Sequence, residues 1–133
     1  MNQRDIAQFL APSRIAVMAT INRDGTPQLT PNWYHYNGTV LTFVTTKERV
    51  KYLNLQRDPR ISICIYAAPL AADYVVIRGR AGLSDQDIWD QARTIIQRYE
   101  EPDKIEQHLE QWKMQPRVLV TVTPDRISTR NRL

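Results

Sequence analysis

Residues 28–46 read "QLTPNWYHYNGTVLTFVTT". Asn37-Gly38 stands between two runs of aromatic and β-branched residues. Asn-Gly readily adopts the positive φ angles of a tight hairpin turn, so the pair predicts two antiparallel strands. Pro31 has no N–H to give a ladder and marks an edge, a bulge or a break. Working outward, "SRIAVMATIN" reads as an earlier strand, joined through "NRDGTP", a turn with glycine at its close. "RISICIYA" follows, with Ile61, Ile63 and Ile65 on one face. "DYVVIRGRAGL" carries two glycines placed to bend a strand in a closing barrel. "RVLVTVTPDRIST" is the last strand. That makes six.

Helices fit between them. Ile6, Phe9 and Leu10 lie three and four apart at the start. A second helix begins near Thr46, with Val50, Leu53, Asn54 and Arg57 along one side, and ends before Pro59. Ser84 and Asp87 form a capping-box-like start ahead of the apolar stripe Ile88, Ala92, Ile95, Ile96 and Tyr99. Pro102 suits the first position of a further helix reaching Trp112. The expected class is mainly β (α+β): a six-stranded antiparallel barrel with peripheral helices, built as one domain over residues 1–133. A doubly wound parallel sheet is not expected, because the four glycines include no dinucleotide fingerprint.

Hydrophobic residues make up 42% and charged residues 24%, the balance of a water-soluble chain. "IAVMATI" is too short to span a bilayer and has no cleavage site after it, so a cytoplasmic protein without a membrane span is expected. Cys64 is the lone cysteine. It offers no internal disulfide and no cysteine metal site, and inside "ISICIY" it reads as a buried, inert thiol. The net charge of +4 favours anionic partners. The bases are scattered, not gathered in a stripe, which argues against nucleic acid. A phosphate-bearing small molecule satisfies the same bias with two or three residues.

Residues for self-sufficient catalysis are few. His35 and His108 are far apart, and no metalloprotease, serine-hydrolase or P-loop motif occurs. Asp85, Asp87, Glu100, Glu101 and Asp103 read as helix-start and solvent-facing charges. The unusual stretch is 45–53, "TTKERVKYL", where Lys47, Arg49 and Lys51 crowd a helix start. The positive end of a helix disfavours cations, by roughly 0.3–1 kcal/mol each. A bound phosphate reverses that, since free N–H groups and hydroxyls there hold an anion. Residues two apart do not share a helix face. Arg49 and Lys51 therefore meet on one phosphate only if Arg49 precedes the regular helix. Thr30, Asn32 and Tyr34 alternate along one polar strand face beside Pro31, where free backbone groups suit a planar heterocycle.

Together "RIAVMATINRDGTPQLTPNWYHYNGTVLTFVTTKERVKYLNLQRDPRISICIY" and "YVVIRGRAGL" resemble the pyridoxamine 5′-phosphate oxidase-like split barrels that bind flavins. The likeness spans residues 8–83, with the strand at 116–124 matching more loosely. Within the superfamily the chain is most similar to the branch using the deazaflavin coenzyme F420. The resemblance implies a homodimeric split barrel with cofactor in clefts between subunits: F420, or alternatively FMN. It implies that Thr45, Thr46, Lys47, Arg49 and Lys51 hold the phosphate end. Leu29, Thr30, Pro31 and Asn32 would line the ring, and Tyr66, Ala67 and Ala68 would approach it. The implied activity is hydride transfer to a small unsaturated or heteroaromatic acceptor, with no catalytic side chain identified. A non-enzymatic barrel holding flavin, or haem through His35, is the other class.

Overall fold

The computed structural model describes residues 1–130. In chain order the elements are α1 (Gln3–Leu10), β1 (Ala16–Ile21), β2 (Pro27–Asn32), β3 (His35–Tyr36), β4 (Leu41–Thr46), α2 (Val50–Arg57), β5 (Arg60–Tyr66), β6 (Tyr74–Ser84), α3 (Trp89–Tyr99), α4 (Ile105–Trp112) and β7 (Arg117–Arg130). A single 3-10 turn at Pro102–Lys104 leads into α4. The strands form one sheet in the order β2-β1-β5-β6-β7-β4-β3, with every neighbouring pair antiparallel. Only Trp33 and Tyr34 separate β2 from β3 in the chain, yet these strands stand at opposite ends of the sheet. The sheet must therefore curl until its two edges meet, which makes a barrel split along that join.

There are seven strands, not six. The run 28–36 breaks at Trp33–Tyr34 because α3 takes over the backbone groups there. The Tyr34 N–H donates to the Tyr99 hydroxyl at 3.2 Å, and Arg98 Nε donates to the Tyr34 carbonyl at 2.7 Å. The same guanidinium donates to the carbonyls of Ala11 and Pro12, just beyond α1. Arg98 thus ties three segments together. Arg98→Ala should cost about 2 kcal/mol in chemical denaturation, since hydrogen bonds to a charged donor contribute more than neutral ones.

The Asn37-Gly38 turn forms as expected. Gly38 has φ +96°, and the Asn37 side chain accepts from the Thr39 and Val40 N–H groups. Ile61, Ile63 and Ile65 face the core with Met18, Ile77 and Phe43. A smaller apolar cluster, Ala92, Ile96 and Leu109, packs α3 on α4 and reaches Val44 and Trp112.

Three local expectations are corrected. The Ser84/Asp87 box does not start a helix: β6 runs through Ser84, whose hydroxyl accepts from the Gln86 N–H. Asp87 takes φ +54°, a turn conformation that Asp tolerates, and α3 begins at Trp89 without a side-chain cap. The second helix starts at Val50, because Thr45 and Thr46 belong to β4. Its buried side is Lys51, Asn54 and Leu55, while Val50 and Leu53 stay half exposed. Asn54 pins it to β1 by donating to Thr20 and Asn22. Cys64 points to the outer face of β5 and is only half-buried, because strand alternation sends the isoleucines inward and Cys64 outward. Among the described residues no helix is long and apolar enough to cross a membrane.

Candidate functional site

The barrel's split holds a cleft of about 340 Å³. Beyond the two-residue β3, the end of β4 stays paired with β7 on one edge and has no described strand partner on the other, which faces the end of β2. Val44, Thr45 and Thr46 line one side, and Pro31 and Asn32 the other. Arg49 is the residue before α2, extended at φ −78° and ψ 146°, and Lys51 is the second residue of the helix. This is the geometry that lets the two share a site, and both line the cleft. Thr45 and Thr46 are buried apart from their approach to it. The Arg49 side chain makes no hydrogen bond or ion pair with any described residue.

Lys51 is only 6% exposed. Its Nζ donates to Asn32 Oδ1 at 2.6 Å, so the bond crosses the split from α2 to β2. Asn32 in turn donates from Nδ2 to the Thr30 carbonyl at 2.9 Å. Burial first, and then the nearby Arg49 charge, push the Lys51 ammonium down to about 8. Among the described residues no carboxylate lines the cleft. A buried lysine, a guanidinium without a partner among the described residues and two lining threonines, in a cavity that no described acid lines, make a donor set for an anion. The phosphate end of a nucleotide-type cofactor fits these donors.

Three further residues line the cleft: Trp33, which the sequence offers as a stacking or dimer surface, and Trp112 and Arg117, to which it does not point. Trp33 stacks on Tyr99 with ring centroids 4.8 Å apart and planes 3° from parallel. Trp112 lies 6.3 Å from Trp33, and His108 packs between them while bonding Glu100 at 2.9 Å. Arg117 opens β7 directly across the ladder from Thr46. No local pattern flags Trp112 or Arg117, since each joins the site through elements distant in sequence.

Other expected residues lie elsewhere. Lys47 turns to Asp85, Nζ to Oδ2 at 2.7 Å, and does not line the cleft. Exposed ion pairs of this kind contribute about 0–1 kcal/mol. Lys47→Ala should therefore change ligand affinity about twofold or less, while Arg49→Ala changes it far more; parallel titrations compare them. Leu29 sits on β2 opposite Ala19 and is 62% exposed. Thr30 reaches the cleft only through Asn32. Tyr66 ends β5 opposite Tyr74. Ala67 lines a separate cavity with Phe9 and Arg14, and Ala68 follows it in the same loop. The chain's own cleft does not include these three.

The side chains offer little chemistry of their own. His35, half-buried on β3, is shifted toward its neutral form by burial and by Arg98. In and beside the helical insertion, Asp85, Glu106 and Glu100 are held by Lys47, Arg93 and His108. Binding is what this cleft is equipped for.

The model of the pyridoxamine 5′-phosphate oxidase family matches residues 3–131. The chain belongs to that family. Solved structures agree on the fold. A conserved protein of Mycobacterium tuberculosis is 28% identical, with a TM-score of 0.81, over 98% of this chain and 85% of that one. An F420 reductase is 24% identical, with a TM-score of 0.74, over 92% of this chain and 94% of its own. General stress protein 26 of Bacillus anthracis is 19% identical, with a TM-score of 0.71, over 96% and 92%. The same fold is thus shared with solved structures at 19–28% identity.

Proposed function

We propose that the protein is an oxidoreductase that holds a flavin-type cofactor by its phosphate in the cleft, as a homodimer. The meeting of Arg49, Lys51, Thr45 and Thr46 in a cleft lined by no acid among the described residues carries this reading. The deazaflavin coenzyme F420 is favoured over FMN by the resemblance of residues 8–83 as a whole to that branch; the motifs themselves are those of the superfamily. The name of one structural neighbour is consistent with it. When bound, such a cofactor supplies the hydride that reduces a small unsaturated or heteroaromatic acceptor. The chain's part is to hold and orient. Arg49 and Lys51 fix the phosphate, Asn32 and Pro31 set the strand edge against the ring, and Trp33 with Trp112 walls off water. Leu29, Thr30, Tyr66, Ala67 and Ala68 are assigned to the ring-side surface, completed by the second subunit.

The test is a fluorescence titration of the purified protein with F420 and with FMN. Saturable binding of at least one is expected. If neither binds, the oxidoreductase reading falls.

A further inference from the structure

Arg117 is built into the cleft more firmly than a surface arginine. Its Nε donates to the Trp112 carbonyl at 3.0 Å and its Nη2 to Gln115 Oε1 at 3.1 Å. The guanidinium lies over the Trp112 ring, 5.2 Å from its centroid. A guanidinium has five N–H donors in a rigid fork. These two bonds fix its plane and leave Nη1, with no partner among the described residues, and the second N–H of Nη2. A clamp for the α4–β7 turn needs no more than the two bonds already made.

The charge count points the same way. Arg49, Lys51 and Arg117 line one cavity that, among the described residues, no carboxylate lines. Burial, and then the Arg49 charge, lower the Arg117 pKa. One phosphate ester carries at most two negative charges, so it leaves a cation unmatched in a partly desolvated site. The faces of the aromatic wall are largely taken: Trp33 is stacked on Tyr99 and Trp112 is covered by Arg117. The remaining polar capacity on this side is the free edge of Arg117.

We propose that Arg117 is a second anion-binding point, beside the phosphate position of Arg49 and Lys51, and that the ligand carries two neighbouring anionic groups, a phosphate and a further phosphate or carboxylate. This rests on the phosphate reading of the cleft. Across the β4–β7 ladder Arg117 is the direct neighbour of Thr46. The two positions are thus adjacent, and a diphosphate spans them. The second anion belongs either to the cofactor's tail or to the acceptor.

Calorimetric titration with orthophosphate and pyrophosphate, on wild type, Arg117→Gln and Arg117→Lys, tests it. Wild type should prefer pyrophosphate at least tenfold. Arg117→Gln should lose most of that preference while its orthophosphate affinity stays within about twofold, and Arg117→Lys should keep part of it as a point charge without the fork. Unchanged melting temperatures and retained orthophosphate binding separate this from misfolding. A preference that survives Arg117→Gln, or an equal loss for both anions, overturns the proposal while leaving the phosphate reading standing. If neither anion binds wild type, the phosphate reading itself falls, and this proposal with it. Titration with F420 and FMN then locates the second anion. Weakened F420 binding with unchanged FMN binding in Arg117→Gln places it on the cofactor tail. Unchanged binding of both places it on the acceptor.

Discussion

Lys51→Ala is expected to weaken binding of a phosphate-bearing cofactor at least tenfold. A charge-assisted hydrogen bond to a desolvated ammonium contributes about 1.5–3 kcal/mol, and a factor of ten is about 1.4 kcal/mol. The pH dependence makes the test sharper. In the unliganded protein Lys51 titrates near 8, lowered chiefly by burial. An anion prefers the ammonium, so affinity should be full below pH 7 and fall as pH rises through 8, with proton uptake on binding near that pH. Lys51→Ala should flatten the profile. The sign for stability is opposite. Lys51 binds its proton less tightly folded than unfolded, so between pH 8 and about 10.5 the unfolded chain holds more protons. This residue's contribution to unliganded stability therefore rises with pH across that window. A pH-independent affinity together with wild-type binding in Lys51→Ala would remove Lys51 from the site.

Gly79→Ala should be the most damaging small substitution in the barrel. The β6–β7 ladder shifts register between Arg78 and Gly79, opposite Pro124. An added Cβ at Gly79 would lie 2.2 Å from the Thr123 carbonyl oxygen. The obstacle is backbone, so no rotamer relieves it, and the two longest strands must part. A cost of about 3 kcal/mol is expected, at the upper end for overpacking, or roughly 10 °C in Tm. Gly82→Ala is the control: its nearest neighbour would lie at 3.9 Å. Equal melting temperatures for the two variants would show that the bend does not depend on Gly79.

What the sequence disclosed were the features with local causes. Asn37-Gly38 fixed a hairpin, alternating isoleucines fixed a core strand, and Arg49 and Lys51 could be set against one helix start. Features with distant causes were hidden. The break at Trp33–Tyr34 depends on Arg98 and Tyr99, more than sixty residues away. Without it, β2 and β3 read as one strand and the count stops at six. Lys47 resembles its neighbours until Asp85 is folded against it. Arg117 becomes a site residue only through the pairing of β7 with β4. Ser84 and Asp87 show the reverse error: residues suited to a helix cap serve a turn as well.

The Lys51–Asn32 bond bears on more than the cleft. Neighbouring strands of the sheet share main-chain hydrogen bonds; at the join, α2, which follows β4 in the chain, reaches the end of β2 through this side-chain bond instead. An ammonium has three N–H groups and spends one on Asn32. A bound anion takes the others and holds the nitrogen charged, which strengthens the strut. The ligand then tightens the tie between α2 and β2, so how firmly the join is held comes to depend on whether the site is filled.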